Sequence, residues 1–227
     1  MHISRDVPTG YRGDMCPSNL ALLHPAGQTL LEYAFNGCPV EAGRDWTREE
    51  LDAAVAYGSH PMEEEAMKQF CDEAFDKRDR GLVEIIKWAD LKSLPDDEFP
   101  SNLKASPIFG VPHKSRNWRA ILDLSWLLRM VDHTVPSVNE SSTKTAPQGA
   151  ISQLGHTLAR IIDMLANAPE DMDVYFAKWD VKDGFWRLVC ERGAEWTFCY
   201  VLPQPDGAEP MIVKPMSLQM GWIESPA

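Results

Sequence analysis

Asp171-Met172-Asp173-Val174-Tyr175-Phe176-Ala177-Lys178-Trp179-Asp180-Val181-Lys182-Asp183-Gly184-Phe185 is an apolar run that ends on two carboxylates and an aromatic ring. Read as a strand with a period of two, it sets Tyr175, Ala177, Trp179 and Val181 on one face, and Val174, Phe176, Lys178 and Asp180 on the other. One face is wholly apolar, while the other turns charged toward its end. The pattern predicts a sheet whose back packs on helices and whose front opens into a cleft, with Asp180 delivered to the cleft floor.

Working outward, Ile151, Leu154, Leu158, Ile161, Ile162 and Leu165 fall on one helical face, so residues 148–168 are expected to form a core-packed helix leading into this strand. Beyond it, residues 185–190, 195–202 and 211–216 read as further strands, with a turn over 203–209. Upstream, 106–125 reads as a β-hairpin whose tip, Pro112-His113-Lys114-Ser115-Arg116-Asn117, is basic. The polar stretch 137–147 is expected to drape over the surface. Before the hairpin lie a short strand over 82–88 and a Pro- and Asp-rich loop over 94–101. A helix over 62–80 carries Glu63, Glu64 and Glu65 in its first turn and Lys77, Arg78 and Arg80 in its last, with Gly81 to end it. Another begins at Thr47, whose hydroxyl and Glu50 form a capping-box pattern, and stops at Gly58. Residues 1–45 are rich in Gly, Pro and polar residues, with one helix-like piece over 28–35.

The 227 residues have an ordinary hydrophobic content of 44% and a net charge of −12. Acidity opposes phosphate binding, but it is unevenly spread. Residues 1–98 hold 10 Lys/Arg against 20 Asp/Glu, whereas residues 99–227 hold 12 against 14. Between residues 100 and 122 the charges are Lys104, Lys114, Arg116 and Arg119 alone, a local basic patch. No apolar run approaches the ~20 residues that span a bilayer, and residues 1–11 lack the apolar stretch of a signal peptide. An intracellular protein without membrane contact is expected. The five cysteines are odd in number and widely spaced, with no Cys-x-x-Cys pair, and read as reduced thiols.

Asp180 and Asp183 are oxygen ligands of the kind Mg²⁺ prefers. Read alone, the pair is more simply a strand end turning into solvent, since Asp-x-x-Asp is a common spacing. An unrelated Mg²⁺-dependent phosphotransferase fits the pair too, but leaves its company unexplained. That company is ordered: a basic-tipped hairpin precedes it, and Gly221-Trp222-Ile223-Glu224-Ser225-Pro226-Ala227 follows.

Three segments resemble motifs of reverse transcriptases of the retrotransposon and retrovirus type. Ser106-Pro107-Ile108-Phe109-Gly110-Val111-Pro112-His113-Lys114, with Trp118-Arg119-Ala120-Ile121-Leu122-Asp123-Leu124, resembles the fingers hairpin. Trp179-Asp180-Val181-Lys182-Asp183-Gly184-Phe185-Trp186 resembles the first aspartate motif, and Leu218-Gln219-Met220-Gly221-Trp222 through Ser225-Pro226-Ala227 the next palm motif. The resemblance covers residues 82–227. It implies that Asp180 is catalytic and a Mg²⁺ ligand, clamping the attacking 3′-hydroxyl and the transferred phosphate. It implies that Asp183 lies near the triphosphate and that Phe185 sits under the sugar and excludes a 2′-hydroxyl. Arg119 would hold the triphosphate by forked contacts, Lys114 would assist from the fingertip, and Gly221 would let the nucleotide approach the backbone. Each residue also has a plainer reading: Arg119 pairing with Asp123, Phe185 in the core, Gly221 in a turn, Lys114 as a solvated charge. Met220 stands where the family has a polar or aromatic residue, and His113 where it often has a second lysine.

The family's adjacent aspartates, usually Tyr-x-Asp-Asp, would follow residue 227; Asp96-Asp97, the only adjacent pair present, precedes the fingers. The expected fold is therefore α+β, a fingers/palm fragment of a right-hand polymerase with an antiparallel sheet packed on helices and the palm incomplete. Residues 1–81 form an acidic N-terminal region, 82–149 the fingers-like region and 150–227 the partial palm. The expected function is templated nucleotidyl transfer from dNTP on an RNA or DNA template-primer, with Mg²⁺, inactive in these residues alone. The alternative is a non-catalytic module of the same origin that binds nucleic acid or protein.

Overall fold

The computed structural model describes residues 25–114, 117–143, 156–177 and 184–224. Local chemistry sets the ends of several of its helices. Helix α1 spans Pro25–Asn36 and α2 spans Arg48–Tyr57. At the start of α2 the Thr47 hydroxyl accepts from the Glu50 amide at 3.2 Å, and the Thr47 amide donates to the Glu50 carboxylate at 2.8 Å. Two amides that the helix leaves open are thereby satisfied. Helix α3, Glu64–Asp79, ends in a Schellman motif: the Leu82 amide donates to the Lys77 carbonyl and the Gly81 amide to the Arg78 carbonyl, both at 2.9 Å, with Gly81 at φ +70°.

Strand β1 (Val83–Lys87) leads into the short helix α4 (Trp88–Lys92), and β2 (Ile108–Pro112) and β3 (Trp118–Leu122) form the hairpin. Strands β4 (Leu128–Arg129) and β5 (Thr134–Val135) make a second, smaller one, followed by α5 (Val138–Ser141) and α6 (Thr157–Ala166). Two 3₁₀ turns, Phe185–Arg187 and Ala194–Phe198, precede β6 (Tyr200–Val201) and β7 (Met211–Pro215). The main sheet is antiparallel in the order β1-β7-β6, with Val83 opposite Pro215 and Tyr200 opposite Val213. The chain is thus an α+β protein of helices and small antiparallel sheets.

Because successive strand residues point to opposite faces, β7 feeds two cores. Ile212 joins Leu51, Ala54 and Val55 of α2, with Trp88, Leu91 and Leu103, on one face. Val213 joins Ala66, Phe70 and Ala74 of α3, with Val83 and Tyr200, on the other. Each fully buried side chain of this size contributes about 1.5–3 kcal/mol. The hairpin lies on α3 as well, since a Cβ at Gly110 would stand 3.3 Å from both Ala66 Cβ and Phe70 Cε2. A third cluster, with Leu124, Val138, Phe198, Leu218 and Trp222, fills the space beneath the 218–222 turn. Cys38, Cys71, Cys190 and Cys199 are free thiols, and burial pushes Cys38 up to about 11.

Four expectations are corrected. Residues 172–177 form no strand: Tyr175 is 85% and Phe176 58% exposed, and no ladder partner takes up this backbone among the described residues. Alternation supplies the faces of a strand, but a strand also needs a neighbour. Asp180 and Asp183, with the rest of 178–183, lie outside the described residues. Helix α6 forms but buries nothing, leaving Leu158 69% and Ile162 58% exposed, because no described element covers its apolar stripe. Residues 185–187 and 194–198 take 3₁₀ turns, and strand 200–201 with isolated bridges at Val189, Cys190 and Cys199 is what remains of those two expected strands. Finally, 138–141 is a helix whose capping box, Ser137 with Glu140, buries Ser137 and Val138.

Candidate functional site

The hairpin carries Lys114 at its exposed tip, which the His113 amide closes by donating to the Asn117 carbonyl at 3.1 Å. Arg119 sits on β3 opposite Val111, half-buried. Its guanidinium does not pair with Asp123. Four residues along one strand separate the two by roughly 13 Å, and the Asp123 carboxylate is taken by His60 Nε2 at 3.0 Å and by the Ser125 amide at 3.1 Å. Instead Arg119 Nη2 donates to the thioether sulfur of Met220, a weak acceptor. No carboxylate among the described residues forms an ion pair with Arg119.

Gly221 stands beside this contact. Its φ of +102° is strained for any residue with a Cβ, and such a Cβ would lie 3.4 Å from the Leu122 carbonyl of β3. Asn139, on α5, holds the turn: its Nδ2 donates to the Gly221 carbonyl at 2.9 Å and its Oδ1 accepts from the Ile223 amide at 2.9 Å. The Trp222 indole donates to Oγ of Ser142, the residue just past the same short helix, at 2.7 Å. Sequence reasoning passed over Asn139. The signal that marks it is Ser137-x-x-Glu140, a capping box inside the stretch read as a surface drape.

The structure thus brings Arg119 and Gly221 together and leaves Lys114 at the tip. Phe185 is half-buried in its 3₁₀ turn, and no hydrogen bond or ring contact among the described residues joins it to Arg119 or Gly221. Asp180 and Asp183, on which Mg²⁺ binding was expected to depend, are outside the described residues, among which no group of three or more His, Cys, Asp or Glu is placed to hold a metal ion.

Lys104 leaves the basic patch altogether. It is 1% exposed, its ammonium donates to the Arg44 carbonyl at 2.6 Å, and burial lowers its pKa to about 8. It lines a pocket of about 360 Å³ with Glu41, Asn102, Thr143 and Thr197. With Arg116 outside the described residues, the described cations that remain in the patch are Lys114 and Arg119.

A different charge network supports the body. The buried Glu50 carboxylate takes both guanidinium nitrogens of Arg44, one at 2.9 Å, and His133 Nε2 at 2.9 Å. The Arg44 hydrogen bond, followed by those from His133 and the Thr47 amide, outweighs desolvation and lowers its pKa to about 2. Glu50, then Asp132, raise the pKa of His133.

No helix among the described residues is long and apolar enough to cross a membrane. No known family model matches the chain, and no curated protein matches it.

Proposed function

We propose that the chain is the fingers and first part of the palm of an RNA-directed DNA polymerase of the retrotransposon and retrovirus type, an intracellular protein that holds a template-primer and a dNTP. The observation that carries the reading is the meeting of β3 with the 219–221 turn. Arg119 reaches Met220 while the Leu122 carbonyl faces Gly221, although about a hundred residues of chain separate them. A guanidinium whose hydrogen-bond partner among the described residues is a thioether, a weak acceptor, keeps forked donors for phosphate oxygens, and an exposed glycine beside it admits a ligand close to the backbone. Lys114 adds a point charge from the exposed tip. In this reading Mg²⁺ would be held by Asp180 and would supply charge neutralisation at the transferred phosphate. Asp183 belongs to the triphosphate side and Phe185 to the sugar side.

Fluorescence anisotropy with a labelled RNA–DNA hybrid tests the proposal. Binding is expected at low salt, weakened about fivefold or more in Arg119→Ala and in Lys114→Ala, with the salt slope falling by roughly one in each. Absence of binding at low salt, or binding indifferent to both substitutions, overturns it.

A further inference from the structure

Three side chains from three segments form an unbroken hydrogen-bonded line away from the contact just described. Tyr57 is the last residue of α2, Gly58 turns the chain at φ +72°, and the His60 amide donates to the Ile108 carbonyl of β2 at 3.0 Å. Asp123, just past β3, is fixed by its own amide on the Pro107 carbonyl at 2.9 Å. The Tyr57 hydroxyl lies 2.8 Å from His60 Nδ1, and His60 Nε2 lies 3.0 Å from Asp123 Oδ2.

The chemistry of the end groups sets the proton positions. A carboxylate only accepts, so Nε2 carries a proton toward Asp123; in the neutral ring Nδ1 is then a bare acceptor, and the phenol donates to it. The imidazole is also held in its plane: the Phe109 ring meets it edge-on at 5.8 Å, while Trp126 lies over Tyr57 at 4.8 Å. This is the arrangement of an activated nucleophile, in which a base touches the reacting hydroxyl and a third group orients the base. Tyr57 is 45% exposed and so open to a reagent, while the His60 and Asp123 side chains are mostly covered.

We propose that Tyr57 is an activated phenol, with His60 as its base and Asp123 as the positioning residue, and that it accepts a group from a sulfonyl or phosphoryl centre carrying its own leaving group. With an aryl sulfonyl fluoride, the phenolic oxygen forms a bond to sulfur as the S–F bond breaks. The phenolic proton passes to His60 Nδ1, fluoride departs, and the Asp123 carboxylate faces the imidazolium that results.

The chain contains its own control. Tyr175 is 85% exposed, and its hydroxyl donates to Asp173 at 3.5 Å, with no imidazole bonded to it among the described residues. Treating the whole chain with a benzenesulfonyl fluoride and following each tyrosine by peptide mass spectrometry therefore separates activation from access. Tyr57 is expected to react about 10²-fold faster than Tyr175, the lower end of what a positioned base contributes. His60→Gln keeps an amide able to bridge the same partners but removes the base, and it should bring Tyr57 down to the rate of Tyr175. Asp123→Asn should slow Tyr57 while leaving Tyr175 unchanged. A Tyr57 rate at or below that of Tyr175 in the native chain overturns the proposal without recourse to any variant, as does a Tyr57 rate undiminished in His60→Gln.

Discussion

Helices α3 and α6 carry the same kind of message and meet opposite fates. Both alternate apolar and polar residues at helical spacing, and α6 is the more strongly apolar on its face. Yet α3 buries Ala66, Phe70 and Ala74 between the main sheet and the hairpin, whereas α6 buries no residue at all. The difference shows that a stripe creates a demand for cover and does not supply the cover. α3 is followed at once by β1, which pairs with β7 and so brings a sheet face onto the helix; α6 leads into 172–177, which finds no ladder among the described residues.

Substitution of the central residue of α3 should separate the two regions most. Phe70→Ala empties a site that is 3% exposed and should cost about 3–5 kcal/mol by urea unfolding. Next comes the carboxylate that ties α2 to its surroundings. Its folded pKa is depressed, so the stability it contributes is present above its unfolded value of 4.5 and is lost as pH falls toward about 2. That contribution is on the order of 2–3 kcal/mol for a group this buried; Glu50→Gln should flatten the acid limb of the stability profile between those pH values. His133 has the opposite sign. Its raised pKa gives stability that is fully present below about pH 6.5 and is lost as pH rises through the folded value, and His133→Gln should remove that alkaline decline.

A smaller loss is expected where the hairpin rests on α3. Gly110→Val must push Ala66 or Phe70 aside and should cost about 1–3 kcal/mol, read as a lowered urea midpoint. The smallest effect belongs to α6. Leu158→Ser with Ile162→Ser removes two apolar side chains that are already exposed, and should move the unfolding free energy by less than about 0.5 kcal/mol. A loss comparable with that of Phe70→Ala would show that α6 is packed in solution and would erase the contrast between the two helices.

Much of the fold was legible because its signals are local. Thr47 with Glu50 announced α2, Gly81 announced the end of α3, and the two apolar runs around the basic tip announced the hairpin; each of these is settled by groups within a few residues of one another. The candidate site was legible in its members more than in its geometry. Arg119 and Gly221 were singled out, and they do converge; Asn139, which holds the turn, was hidden in a stretch whose polar composition masked a capping box. Lys104 was miscounted as a surface charge because no local pattern reveals that Arg44 supplies a carbonyl to it from sixty residues away.

What the sequence by itself determined, then, is where elements begin and end and which residues are chemically equipped to act. Hydrogen bonding at helix caps and turns is decided by neighbours in the chain, so those readings need no knowledge of the whole. The tertiary structure alone decided which apolar stripe is covered, which cation of the basic patch is buried, and that Tyr57, His60 and Asp123 stand in line. Burial and pairing across sixty or a hundred residues depend on how sheet and helices stack, and that is a property of the assembled chain.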